Sequence, residues 1–403
     1  MTAGQLNALL NCLPESVALH LPLVSVDAFS LQFAGADVAV RIVATRAGYQ
    51  TSCSGIASRV AWSSFSGELP SYRLLVDCLT MSGVVPLHQE SEAELAALFT
   101  ALNRPEPHSF DIGLEDHIFL GFDTNCFRKC FLSTYIFPRL MATRGPRRWD
   151  LVISEYNISE ISHRISTKYQ PVHADAMQGL GTWVRSVFAG QPRLDARLRK
   201  LGLVQYRRAL EEYRAQRAPK AASDRSFRDD LNRAAELHTD DPAAGYDART
   251  AVVDQYIARS YGEFAAEAKT RKVIFLTFDR GAADACAGYE GLLPVTLTQQ
   301  PLHEIDGPVT CSWEAAGSLL EVLARVFGRV DLRDDNSNPL CSIDGVWRPG
   351  GPERRSPCGD DDLLAGALWL SAPVDTALGE ARASRLARYL DCLSSIRLPA
   401  ARA

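Results

Sequence analysis

The chain has 403 residues, 46% of them hydrophobic and 23% charged, with a net charge of −5. This is an ordinary globular composition, long enough to bury a full core and to make two or three domains. The longest apolar runs fall well short of the roughly 18 residues a membrane-spanning helix needs, and the opening MTAGQLNALLNCLPES has no basic stretch followed by an apolar block. The expectation is therefore a soluble, cytoplasmic protein with no membrane partner.

Residues 1–108 mix strand-like runs, ADVAVRIVATRA and SYRLLVDCLTMSG, with the helical SEAELAALFTALNR, which predicts an α+β unit. NRPEPHS, with two prolines among polar residues, marks a boundary. From His117 the order changes. HIFLGF predicts a strand, residues Asn125 to about Leu140 a helix, RRWDLVIS a short strand, and EYNISEISHRIS a helix with Ile158, Ile161 and Ile165 on one face. Such alternation predicts parallel strands joined by crossover helices.

Residues 170–245 interrupt the alternation with a long helical stretch containing a joint, RAPKAASDRS. The pattern resumes with the helix RTAVVDQYIARSYGEFAAEAK, the strand KVIFLTF, a turn and helix at DRGAADACAGYE, and the strand LLPVTLT. Residues 299–403 read as a separate small α+β unit: a helix near AAGSLLEVLARVFG, a turn-rich region holding Trp347, and a terminal helix over roughly 376–396.

Between Arg193 and Lys220 the chain carries nine Arg or Lys against three acids, a local charge of +6 that leaves −11 for the remainder. Two readings stand for this stretch. It is a helical hairpin that packs on the core or makes a dimer, or it is an arm whose Arg199, Lys200, Arg207 and Arg208 grip nucleic-acid phosphates, with affinity falling as salt rises. The ten cysteines show no CxxC pair, and Cys126 and Cys130, at i and i+4 beside apolar residues, read as buried thiols rather than zinc ligands. HExxH, GxxxxGK[ST] and GxSxG motifs are absent, which removes zinc-protease, P-loop and α/β-hydrolase chemistry.

Two apolar strands end on a carboxylate: HIFLGF runs into Asp123 and VIFLTF into Asp279. Each acid suits a helix cap, but two such strands in one parallel sheet also place both acids on its carboxyl edge, where open α/β folds bind ligands. Glu160, between Ile158 and Ile161, and Asp254, beside Val252, Val253 and Ile257, lie at the rims of apolar helix faces. An acid there is costly without a partner or a cation. Carboxylates pushed together favour a divalent metal, and all-oxygen ligands select Mg²⁺ or Mn²⁺ over Zn²⁺.

The strand ending in Asp123-Thr124-Asn125, the helix with Glu160 before an isoleucine, the helix with Asp254 in DxxIA spacing and the strand ending in Thr277-x-Asp279 together resemble the PIN-domain nucleases. The resemblance covers about 117–170 and 248–298. It implies a Rossmann-like α/β/α core with a parallel sheet over 112–298, carrying a helical insertion at 170–245. It further implies a site in which Asp123, Glu160, Asp254 and Asp279 hold Mg²⁺ or Mn²⁺ for RNA hydrolysis, with Thr124, Asn125 and Thr277 orienting the acids. Glu160 and Asp254 are 94 positions apart, farther than in small family members, and Asp247 or Asp284 stands as an alternative or supplement to Asp254. Besides a metal-dependent endoribonuclease with RNA as its partner, two readings remain: an inactive PIN-like scaffold that binds RNA or protein, and another Mg²⁺-dependent phosphotransfer enzyme. A homo-oligomer or an inhibitor protein is also left open.

Overall fold

The computed structural model describes residues 6, 9–11, 13–22, 26–35, 37–42, 72–103, 116–142, 149–163, 194–237, 242–300, 308–346 and 367–371. Three strands open the chain, β1 (Ser16–Leu21), β2 (Val26–Ala34) and β3 (Asp37–Ile42), paired antiparallel in sequence order. The β2–β3 turn uses Gly35 at φ +59°, a left-handed conformation that costs glycine little.

The parallel strands follow: β4 (His117–Phe122), β5 (Trp149–Ile153), β6 (Gln216–Arg217), β7 (Arg271–Thr277) and β8 (Leu292–Thr296). They form a sheet of order β6-β5-β4-β7-β8 in which every pair is parallel. Four strands complete the other sheet: β9 (Val309–Ser312), β10 (Arg329–Arg333), β11 (Pro339–Val346) and β12 (Ala367–Ser371), giving β12-β11-β10-β1-β2-β3-β9. Segments that the sequence reading divides between an N-terminal and a C-terminal unit thus share one sheet, because β10 pairs with β1 and β9 with β3. The helix Trp313–Phe327 supplies its core, burying Leu319, Leu320, Leu323, Val326 and Phe327. It crosses β11 at Gly345, where a Cβ would collide with the Ala324 carbonyl.

The parallel sheet is covered on both faces, as its uninterrupted apolar strands require. Ile118, Leu120 and Phe122 of β4 join one buried cluster, while Phe119 joins the opposite one. Ile274 and Leu276 of β7 likewise face away from Val273 and Phe275. The first face packs on the helix Gln89–Asn103 and on residues 124–142; the second packs on the helices Asp224–Glu236 and Pro242–Ala266. No helix among the described residues is long and apolar enough to cross a membrane.

Local expectations are corrected in three places. SYRLLVDCLTM is a helix, Tyr72–Met81, not a strand: a short apolar run is ambiguous in period, and Cys78, Leu79 and Met81 pack together into the antiparallel sheet's core. The helix expected from Asn125 breaks at Cys130, whose φ of +52° ends Thr124–Arg128 before a π turn at Leu132–Ile136 and a further helix at Phe137–Ala142. Cys126 and Cys130 consequently enter different cores rather than sharing a face.

The turn-rich C-terminal stretch contains a hairpin, β10–β11, whose turn is built on Asp334 accepting from the N–H groups of Asn336 (2.9 Å) and Asn338 (2.8 Å). The basic stretch packs on the core, which is one of the two readings given for it. Its helix Leu194–Glu211 places Leu201 in the antiparallel sheet's core and Leu203, Tyr206 and Ala209 in the parallel sheet's core, and Gln216–Arg217 extends the parallel sheet beside β5. Trp347, the expected helix over 376–396 and the boundary at 104–109 lie outside the described residues.

Candidate metal centre

The strand order locates the site. The chain steps outward from β4 to β5 and β6, then returns to lay β7 on the other side of β4, so the connections diverge at the carboxyl ends of β4 and β7. Crevices of this kind are where open α/β sheets take ligands. Asp123 is the first residue beyond β4, and its N–H donates to the Leu276 carbonyl of β7 (3.0 Å). Asp279 follows the end of β7 by two residues. Both acids cap short helices: Asp123 Oδ1 accepts from the Thr124 N–H (2.6 Å) and Asp279 Oδ1 from the Gly281 N–H (2.8 Å). The cap and the shared edge are therefore both present.

Two further helices bring acids to this edge. Glu160 comes from Glu155–His163 and Asp254 from Pro242–Ala266. Asp123, Glu160 and Asp254 each offer an oxygen within 4.8 Å of the others, although the side chains are only 1%, 5% and 8% exposed. Asp279, half-buried, stands outside this set of three, but its charge reaches Asp123. Asp247 and Asp284 are exposed and do not join it, so of the three alternatives it is Asp254 that converges with Asp123 and Glu160.

Burial, and after it the charge of Glu160, pushes the Asp123 carboxyl up to about 6, with Asp279 adding to the rise and the bonds from Thr277 and Thr124 opposing it. The Thr277 hydroxyl donates to Asp123 Oδ2 (3.0 Å) and accepts from the Asp279 N–H (2.9 Å), tying the two strand ends together. Both oxygens of Asp123 are thus held, which fixes the plane of its carboxylate. Thr124 is buried and Asn125 half-buried in the first turn of Thr124–Arg128. Arg128 lies beside Glu160: Nη1 is 3.9 Å from Oε1, and Nη2 donates to the Glu160 carbonyl (3.2 Å).

The three converging groups suit a hard divalent cation. They are oxygen donors, they are crowded and shielded from water, and a cation would offset both the burial and the like charge that raise the Asp123 carboxyl. Thiol chemistry does not compete here. The six described cysteines are free and buried, Cys126 Sγ donates to the Leu276 carbonyl (3.2 Å), and burial with the charges of Asp123 and Asp254 pushes the Cys286 thiol up to about 12.

The basic residues have separate fates. Arg208 Nε donates to Glu212 (3.1 Å), and its guanidinium lies 5.7 Å from the centre of the Phe137 ring, a packing role. Arg217 and Lys220 both pair with Glu155, at 3.2 Å each. Arg207 is half-buried, and the side chains of Arg199, Lys200 and His163 lie outside the described residues.

Sequence reasoning passed over Arg128, Asn157 and Tyr261. The signal for two of them was spacing: Asn157 precedes Glu160 by three residues and Tyr261 follows Asp254 by seven, so each shares a helix face with an acid of the site. Comparison of the chain with protein-family models, with curated proteins and with solved structures found no match.

Proposed function

We propose that this protein is a metal-dependent endoribonuclease with a PIN-like core, in which Asp123, Glu160 and Asp254 hold Mg²⁺ or Mn²⁺ and Asp279 supplies a fourth carboxylate from the rim. The observation that carries the reading is the convergence of three buried carboxylates at the point where the strand order reverses. Clustered buried charge is costly, and a cation is the partner that offsets it while giving the site chemistry. The choice of RNA rests on the resemblance of the four acid-bearing segments to PIN-domain nucleases.

Bound there, Mg²⁺ or Mn²⁺ would neutralise the phosphodiester's charge, lower the pKa of water and stabilise the leaving oxygen. The chain's own contribution is to keep the acids in place without help from solvent. Thr277 and the Thr124 N–H fix both Asp123 oxygens, and Arg128 steadies the Glu160 end of its helix. Asp279 sits at the more exposed side of the same edge, where its carboxylate is able to orient water or accept its proton.

The test is cleavage of labelled structured and single-stranded RNA, of single-stranded DNA and of a small phosphomonoester, in Mn²⁺, Mg²⁺ or EDTA, with Asp254→Asn beside the wild type. Metal-dependent cutting of RNA that disappears in the variant is the expected result. Hydrolysis confined to the phosphomonoester would point to phosphatase chemistry instead. Retention of RNA without cutting under any metal would overturn the nuclease and leave a binding scaffold.

A further inference from the structure

Behind the carboxylates lies a buried polar knot. The β4–β5 ladder runs from Ile118–Trp149 to Leu120–Leu151 and stops before the strands end. In the gap stands the hydroxyl of Tyr261. It accepts from the N–H groups of Phe122 (3.1 Å) and Ser154 (3.1 Å) and donates to the Phe122 carbonyl (3.0 Å), which fills its one donor and both acceptor positions. The seat for the ring is prepared by Gly121, where a Cβ would lie 3.2 Å from Tyr261 Cε1 and 3.3 Å from Cζ.

Asn157 completes the knot. Its Oδ1 accepts from the Ser154 N–H (3.2 Å), and its Nδ2 donates to the Phe122 carbonyl (3.2 Å) and to the Thr124 hydroxyl (3.2 Å). Both residues are fully buried. The consequence is geometric. Tyr261 belongs to the helix that carries Asp254, Asn157 to the helix that carries Glu160, and the groups they grip, the Phe122 backbone and the Thr124 hydroxyl, flank Asp123 on either side. One cluster of hydrogen bonds therefore sets the mutual positions of all three acids from within the sheet.

We infer that Tyr261 and Asn157 are positioning residues that preset the spacing of the Asp123, Glu160 and Asp254 carboxylates for a divalent cation. This rests on the metal-binding reading of the site proposed above. Neither residue touches the cation or the substrate; they act through the backbone of β4 and through the two helices. Residues that orient metal ligands typically change metal affinity by about 10- to 100-fold when removed.

The experiment is Mn²⁺ titration of the full chain by isothermal titration calorimetry, with a thermal midpoint recorded for each variant. Tyr261→Phe is expected to weaken Mn²⁺ binding by about 10- to 100-fold. Tyr256→Phe serves as control. It removes a hydroxyl from the same helix, one bonded to Asp230 (2.6 Å) beside Phe227 and Tyr156, and should leave the affinity unchanged even where it lowers the midpoint. Thr124→Val cuts the knot at its site end and should weaken Mn²⁺ binding in the same direction, which keeps the question decidable if Tyr261→Phe does not fold. Wild-type affinity in Tyr261→Phe, or in Thr124→Val where the former is insoluble, overturns the inference alone. Absence of Mn²⁺ binding by the wild type overturns the metal reading and the inference with it.

Discussion

Asp344 in the antiparallel sheet and Asp123 at the end of the parallel one are equally buried, each 1% exposed, and their surroundings differ in kind. Asp344 stands opposite Arg329 in the β10–β11 register. The Arg329 guanidinium reaches Asp344 (3.4 Å), Asp331 (2.8 Å) and the Ser342 hydroxyl (2.7 Å), and that hydroxyl donates to Asp331 (2.6 Å). These contacts are local to one hairpin, and the two acids face one cation, Asp331 through a hydrogen bond and Asp344 through an ion pair. Asp123 instead meets two other carboxylates, delivered by two separate helices, with the Arg128 guanidinium 3.9 Å from one of them. A buried acid facing a cation of its own hairpin is a structural element, whereas buried acids that converge from several elements are the pattern on which the proposed metal site rests.

The largest effect that sharpens this contrast is expected at the proposed metal centre. Asp123→Asn should reduce metal-dependent cleavage by more than the roughly 100-fold that loss of an outer partner causes, while its thermal midpoint without metal stays level or rises because one like charge is gone. Full activity in that variant would remove Asp123 from the ligand set. At the other sheet the outcome should be reversed. Arg329→Met leaves Asp344 and Asp331 without their shared cation and should cost about 3–5 kcal/mol in urea unfolding, with Mn²⁺ affinity of the folded protein unaltered.

Smaller still is the pH response of the metal-free protein. The Asp123 carboxyl rises from 3.8 to about 6 on folding, so between those values the folded chain holds a proton that the unfolded chain has released. Stability should therefore fall as pH climbs from about 4 to 6 and level off above, by at most about 3 kcal/mol, and the slope should vanish in Asp123→Asn. Saturating Mn²⁺ should flatten it too, as the cation replaces the proton. Melting in EDTA and in Mn²⁺ across that range is the measurement. The mildest change is Cys126→Ala, which should cost about 1 kcal/mol of stability and leave the metal dependence of cleavage as it was.

The elements near the site were legible locally because length and context settled them. HIFLGF and KVIFLTF are short apolar runs that alternate with helical patterns, as buried parallel strands do, and both lead into acids that the structure places at one edge. The three converging acids were also named, Asp123 from its strand end and Glu160 and Asp254 from their rim positions, within a set of four that the resemblance implied. Where several turns of weaker pattern had to be judged, local reading failed: Tyr72–Met81 takes its helix from the core it packs against, and Cys130 interrupts a helical pattern so that two neighbouring thiols serve different cores.

What the amino-acid sequence determined by itself was the kind of each strong element and which acids lie at the ends and rims of those elements, since apolar pattern and carboxylate placement are properties of short segments. Only the tertiary structure decided that Asp254 rather than Asp247 or Asp284 meets Asp123 and Glu160, that Asp279 stays at the rim, and that the two ends of the chain share a sheet. It alone showed a tyrosine hydroxyl bonded to backbone 139 residues away. Those facts depend on which faces meet across long separations, and a pairing of that kind is settled by the packing of the whole chain rather than by any window of it.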